Sequence, residues 1–411
     1  MMIARVLILF FISCTLFGRV QVQAQCLTGY KGDIQLSDEA VISLITVDPG
    51  NQIHAFWGHT ALRIADPANG IDLMYNYGAF RFDAYFVPKF VYGKLDYILC
   101  VSHMRGEINK YRDREKRALI EQVLLLNQEE KQEVFEFVET NALPENRTYR
   151  YDFLFDNCST RIRDILEDVL GERLTYHTED PGRTWRQILQ PYVTHFPFLS
   201  LGIDLGLGLP VDKEPAAHDL MGLPIYMMEA YDEALVNVNG EEQPLVTAKD
   251  TLLWVEPNHE TGGGSPLVLY GLVWGLFAVG LWVTNSKASY SSRLRIWFDR
   301  LVFGIAGIAG LLAIFLWFIS LHHVTDINFN VLWAWPTHFI IIWMLSRKKN
   351  AVKGYMRVCA VALVVVVLGW YFWPQELNVA LLPIVLTMMV RSTWWGWNPA
   401  SEGVVASSAT A

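Results

Sequence analysis

Cysteine is scarce in this chain, five among 411 residues, and no two have C-x-x-C spacing; no H-E-x-x-H run occurs either. The common signatures of a metal site are therefore missing, and no cofactor is implied. The formal net charge of −9 has no acidic tail or basic stripe behind it, which argues against nucleic-acid binding and polybasic docking. No internal repeat is visible. Lys and Arg are also absent from two stretches, 321–330 and 374–376, each lying between long apolar runs.

Those runs cover 267–284, 301–320, 331–346, 356–373 and 377–390. The first, second and fourth are long enough to span hydrocarbon, while the third and fifth are short. Lys287, Arg293, Arg295 and Arg300 separate the first two, and Arg347, Lys348, Lys349, Lys353 and Arg357 separate the third and fourth. Five spans with alternating loops then satisfy the positive-inside rule, which places the segment before them outside the cytoplasm. Residues 1–24 read independently as a secretory signal, with Arg5, an apolar stretch from Val6 to Phe17 and the small-residue site Val22-Gln23-Ala24. An uncleaved anchor helix is the alternative, although the apolar core is short for a span. The expected domains are a signal at 1–24, an extracytoplasmic domain at 25–260, a membrane domain of about five helices at 266–391, and a cytoplasmic tail at 392–411. With Cys14 in the signal and Cys359 in a span, Cys26 and Cys100 could pair in an oxidising compartment, leaving Cys158 the odd thiol.

Cys158 lies in Asp156-Asn157-Cys158-Ser159-Thr160. Before it, Tyr149 to Phe155 puts aromatics on alternate positions, a strand pattern. After it, Ile162, Ile165, Leu166, Val169 and Leu170 recur at helical spacing until Gly171. Asp156 or Asn157 is the predicted N-cap, and Cys158 falls in the first turn, where free N–H groups and the positive dipole end favour a thiolate. The same N–H groups, that of Cys158 included, would serve a developing oxyanion.

A thiol nucleophile needs a base that can return its proton. Among His54, His59, His103, His177, His195 and His218, only His59 opens a strand-like run directly after a glycine. Val41 to Val47 reads as a strand, and His59–Ile64 and Asp72–Phe80 read as a hairpin joined by Asp66-Pro67-Ala68-Asn69-Gly70. A third group would orient the imidazole through its other nitrogen. Asn76 is preferred, being flanked by Tyr75 and Tyr77 and followed by Gly78, with Asp72 left open. Residues 112–126 and 128–140 read as helices, the second capped by Asn127 with Glu130. Residues 172–260 have weak periodicity and yield no assignment, and Gly262-Gly263-Gly264-Ser265 reads as a flexible joint.

Candidate substrate contacts are Arg63, suited like Arg81, Arg161 and Arg163 to a lipid phosphate, together with Asp72 and Asn157. His322 and His323 join them, in a loop with Asn328 and Asn330 placed to floor a polar headgroup at the outer membrane boundary.

Several of these segments carry a resemblance. Leu44-Ile45-Thr46 with Pro49-Gly50, Phe56 to Arg63, Tyr75 to Phe80, Pro144 to Arg147, Tyr149 to Phe153 and Asp156 to Arg161 resemble the extracytoplasmic domain of the lipoprotein N-acylation transferase (Lnb) family. The loop from Ser320 to Asn330, with Pro336, resembles the membrane part of the same family. The resemblance covers most of the chain outside 172–260. It implies an α+β fold class, a permuted papain-like (NlpC/P60 or LRAT-like) domain with His before Cys, followed by an α-helical multispan membrane domain. It further implies that Cys158 takes an acyl group from a glycerolipid as a thioester, with His59 as base. The acyl group then passes to the N-terminal cysteine amine of a lipoprotein, whose own diacylglyceryl group is the donor in relatives. Partners would be lipoproteins and membrane glycerolipid, at a bacterial inner membrane with the catalytic domain facing the periplasm. A cysteine peptidase or amidase acting on cell-wall peptide is the competing reading that such a fold permits, but it needs no spans. A non-enzymatic lipid- or peptide-binding module would leave the Gly-His and Asn-Cys constellation unexplained.

Overall fold

A computed structural model describes residues 26, 27, 29, 34–80, 85–256, 264–286, 291–345, 349–399 and 401. The expected signal at 1–24, the first two glycines of the Gly-rich joint and the end of the expected tail lie outside the described residues.

Alternating apolar residues build the first half around a sheet. Its strands are β1 (Val41–Val47), β2 (His59–Asp66), β3 (Ile71–Phe80), β4 (Asp96–His103), β5 (Leu119–Leu124) and β6 (Thr148–Arg150). Farther along, β7 (Leu174–Thr175), β8 (Leu235–Val238) and β9 (Glu241–Pro244) form a small second sheet, and β10 (Val246–Leu253) returns to the first. The main sheet has seven strands in the order β10-β5-β1-β2-β3-β4-β6, and every pairing in it is antiparallel. β1 is buried from Ile42 to Val47 because both sheet faces are covered: Ile42 and Leu44 enter one core, Ile45 and Val47 the other. The expected hairpin is present, with Gly70 at φ 67° closing the turn between β2 and β3.

Helices α1 (Phe86–Tyr92), α2 (Met104–Lys110), α3 (Gln128–Asn141) and α4 (Cys158–Leu170) fill the connections. α3 has the expected capping box of Asn127 and Glu130. α4 buries Ile162, Ile165, Leu166 and Leu170, an apolar stripe worth about 2 kcal/mol for each large side chain removed from water.

Two expectations fail here. Residues 112–126 are not a helix: one π-helical turn, Tyr111–Glu115, leads into β5, whose ladders to β1 and β10 outweigh the helix propensity of its residues. Nor does a strand extend over 149–155. β6 ends at Arg150, and Asp152 Oδ1 then accepts from the backbone N–H groups of Leu154 and Phe155, both at 3.0 Å, turning the chain toward α4.

Residues 172–260, unassigned from sequence, supply α5 (Trp185–Leu189), α6 (Pro197–Gly206), α7 (Ala217–Leu220) and α8 (Pro224–Glu233) besides the later strands. The membrane half contains α9 (Pro266–Asn285), α10 (Ser291–Phe318), α11 (His338–Met344), α12 (Lys349–Leu368) and α13 (Leu382–Trp397). Among the described residues, four stretches are long and apolar enough to cross a membrane: Pro266–Asn285, Arg293–Phe318, Ala351–Leu368 and Val379–Trp397. The third apolar run gives only the short α11. The last helix continues past 391 into the expected tail, because Arg391 is fully buried rather than a stop. Asp299 meets it bidentately at 2.7 and 2.8 Å, Thr284 Oγ1 accepts from it at 2.9 Å, and Trp395 Nε1 donates to the same carboxylate at 2.5 Å.

The two halves meet at the loops that lack Lys and Arg. Leu321 N donates to Tyr92 O at 2.8 Å, Asn328 Nδ2 to Leu205 O at 2.8 Å, and Gln375 Nε2 to Leu207 O at 3.0 Å. At the centre of this joint, buried Arg186 pairs with Asp204 and Asp212, each at 2.8 Å, and Asn378 Nδ2 donates to Asp204 at 2.6 Å.

Candidate active site

β2 and β3 stay in register only from Asp66↔Ile71 to Leu62↔Tyr75, and β3 shifts register against β4 between Asn76 and Ala79. His59–Ala61 and Asn76–Gly78 therefore face each other unpaired, at the point where Gly58 turns the chain with φ 83°. The half-buried His59 imidazole lies here. Its Nε2 is 2.9 Å from Asn76 Oδ1, and that same oxygen accepts from the Gly78 backbone N–H at 2.7 Å. A backbone N–H can only donate, which fixes the amide orientation. His59 Nε2 thus carries the proton, and Nδ1 keeps its lone pair. A Cβ at Gly78 would stand 3.1 Å from Nδ1 and 2.5 Å from Cε1. The Tyr149 hydroxyl donates to the Tyr77 carbonyl and so braces the bulge. Burial pulls the imidazole down to a pKa of about 3; repulsion from Arg117 and Lys110 adds to this and the Asn76 hydrogen bond opposes it.

Asn157 is the N-cap of α4. Its Oδ1 accepts from the backbone N–H groups of Ser159 and Thr160 at 2.8 and 3.1 Å, and its Nδ2 donates to Phe153 O and Gly222 O at 2.8 and 2.9 Å. Every polar group of the Asn157 side chain is thereby engaged in holding the helix start. The N–H of Cys158 remains outside the cap. Ser159 Oγ and Thr60 Oγ1, both buried, are 2.8 Å apart and dock the first turn of α4 on the residue that follows His59.

Cys26 and Cys100 form a disulfide, and Cys158 is free and buried. The thiol is pushed up from its ordinary range, chiefly by burial, with hydrogen bonding from the Thr60 backbone and the Ser159 hydroxyl pulling the other way. This corrects the expected thiolate. The helix start does favour the anion, but Tyr97, Tyr149 and Tyr151 enclose it, with Tyr97 stacked on Tyr151 at 4.1 Å, and desolvation wins. Among the described residues no hydrogen bond joins Cys158 to His59. Both groups rest neutral.

Asp72 does not approach His59. It faces Ala65 near the turn end of the hairpin and binds Arg63 at 2.8 Å, while Arg63 also binds Glu121 at 2.9 Å. His322 Nε2 donates to Phe90 O at 2.6 Å, His323 is exposed, and Asn328 and Asn330 are buried in the joint. Thr60, Gly78, Ser159 and Tyr149 stand in the quoted motifs, but the sequence assigns none of them a role in the site. Each flanks a recognised motif residue, but its partner is distant in the chain. Arg117 falls in the stretch 112–126 that reads as a helix, and Lys110 lies just before it. Among the described residues no group of three or more His, Cys, Asp or Glu could hold a metal ion.

Comparison with known families matches residues 30–191 to the Lnb N-terminal periplasmic domain and residues 258–401 to the Lnb transmembrane domain. No curated protein and no solved structure matches the chain. With both halves matched in chain order, the protein belongs to the Lnb family, a membrane protein with a periplasmic α+β domain, and that membership points to a lipoprotein N-acyltransferase type of function.

Proposed function

We propose that the protein is a Cys158/His59-dependent lipoprotein N-acyltransferase of a bacterial inner membrane, with a permuted papain-like catalytic domain within residues 25–260. Residues 1–24 direct export, residues 266–397 supply the spans, and the tail beyond them lies in the cytoplasm. His59 Nδ1 takes the thiol proton as Cys158 Sγ attacks the ester carbonyl of a glycerolipid, by our reading the lipoprotein's own diacylglyceryl group. The C–S bond forms, the ester C–O bond breaks, and the proton passes from Nδ1 to the departing glyceryl oxygen. The α-amine of the lipoprotein's N-terminal cysteine then attacks the thioester. A C–N bond replaces the C–S bond, and the amine proton returns through Nδ1 to sulfur. The N–H groups of Cys158 and Thr60 are the oxyanion donors, and Asn76 orients the imidazole.

The observation that carries this reading is the His59 tautomer. Asn76 and Gly78 leave Nδ1 with its lone pair in a site docked on the helix start that bears Cys158, the one free thiol before the spans among the described residues. Burial raises the thiol and lowers the imidazole, so in this reading the proton moves as the sulfur attacks rather than before it. Attachment to the spans supports a lipid substrate. The test is purified protein in vesicles with a diacylglyceryl lipoprotein: transfer of one acyl chain to the amine supports it, and cleavage of cell-wall peptide without acyl transfer replaces it with the peptidase.

A further inference from the structure

Helix α1 has an unusual composition for a water-facing segment. Phe86-Val87-Pro88-Lys89-Phe90-Val91-Tyr92 contains one charged residue, and none of the seven is buried. Val87 is 51% and Phe90 48% exposed. A contiguous apolar surface of this kind ordinarily meets a partner or a membrane. Two hydrogen bonds say which. Tyr92 O accepts from Leu321 N at 2.8 Å and Phe90 O from His322 Nε2 at 2.6 Å. Leu321 and His322 follow directly on α10, which ends at Phe318 and is one of the helices able to cross a membrane. α1 is therefore held at the height where that span leaves the hydrocarbon, the level at which aromatic residues concentrate. Gly93, at φ 79°, permits the approach, since a Cβ there would stand 2.9 Å from His322 N.

From this contact a line of rings climbs toward the site. The Phe90 ring lies 5.7 Å from His322 and 6.2 Å from Phe86, and Phe86 stacks on Phe80 at 5.3 Å. Phe80 ends the strand that carries Asn76. We propose that α1 is immersed in the periplasmic boundary of the bilayer, and that Phe90, Phe86 and Phe80 guide an acyl chain of a membrane lipid from the leaflet to the gap between β2 and β3. The immersion stands on the contacts with the loop that leaves the span; the path rests on the acyltransferase reading above.

Two measurements on full-length protein in phosphatidylethanolamine/phosphatidylglycerol vesicles test it. A nitroxide is placed at Val87→Cys or, for reference, at exposed Glu133→Cys on α3, both in a Cys158→Ser background. Relaxation of the Val87 label more by oxygen than by a water-soluble nickel complex, with the reverse at Glu133, supports immersion; a Val87 label as accessible to nickel as that at Glu133 overturns it. With Cys158 restored, Phe90→Ala is expected to slow N-acylation of a vesicle-embedded lipoprotein by about tenfold, while alkylation of Cys158 by a small reagent keeps its wild-type rate. Unchanged acylation overturns the path. A wild-type protein that transfers no acyl group removes the function and the path together, while the label at Val87 still decides the immersion.

Discussion

A Cβ on residue 78 would stand 2.5 Å from Cε1 of His59, so Gly78 makes the room in which the imidazole lies. Its φ is outside the left-handed region, and alanine brings no backbone strain of its own. Gly78→Ala is therefore expected to displace the ring and lower kcat/KM by about a hundredfold, with thermal unfolding little changed. Turnover near the wild-type level in a folded variant would show that the imidazole position does not matter.

Asn76 and Asp72 both qualified in sequence as the partner of His59, and only Asn76 reaches it. Asn76→Ala releases the tautomer and should cost about a hundredfold in kcat/KM. Asp72→Ala breaks a half-exposed pair with Arg63 and should change kcat/KM by less than about threefold. The reverse ranking, read in the same vesicle assay, would move the orienting role to Asp72.

The pH dependence follows from two opposite shifts. His59 is held at about 3 against an ordinary 6.5, so it is already a free base at pH 5 and its protonation does not limit turnover there. The Cys158 thiol is raised, so its alkylation by iodoacetamide should climb steadily through neutral pH. A plateau in alkylation below pH 7 would reveal a thiolate–imidazolium pair instead. For stability, unfolded His59 takes up its proton as pH falls through 6.5 while the folded protein resists until about 3. This residue therefore destabilises the fold progressively between those values.

In the membrane half, Asp299→Ala leaves the guanidinium of Arg391 buried without its carboxylate. A loss of about 3–5 kcal/mol is expected in detergent unfolding. Arg391→Met combined with Asp299→Leu should recover much of it. Equal damage from the single and double variants would mean that the pair specifies helix arrangement rather than balancing charge.

The parts of the site readable from sequence are those made by neighbours in the chain. The hairpin needs only its turn residues, and the start of α4 only Asn157, Ser159 and Thr160. Asn76 was singled out because a glycine and two tyrosines sit beside it. What distant partners decide was not readable. β5 has helix-forming residues but lies between β1 and β10. Asp152 ends a strand that its aromatic alternation would extend. Arg186 fixes the segment around it through Asp204 and Asp212, and the loops of the membrane half complete the joint. The thiol's charge is not legible in sequence for the same reason, since the tyrosines that desolvate it come from β4, from β6 and from the turn that follows β6.

In the proposed reaction Cys158 carries the acyl group. Mass spectrometry of a lipoprotein's N-terminal peptide, after incubation with wild-type protein or with Cys158→Ala, tests it most directly. The wild type should yield an amide-linked acyl chain on the N-terminal cysteine with one ester lost from its glyceryl group, and the variant, folded and inserted, a free amine. N-acylation by Cys158→Ala at the wild-type rate would contradict the account.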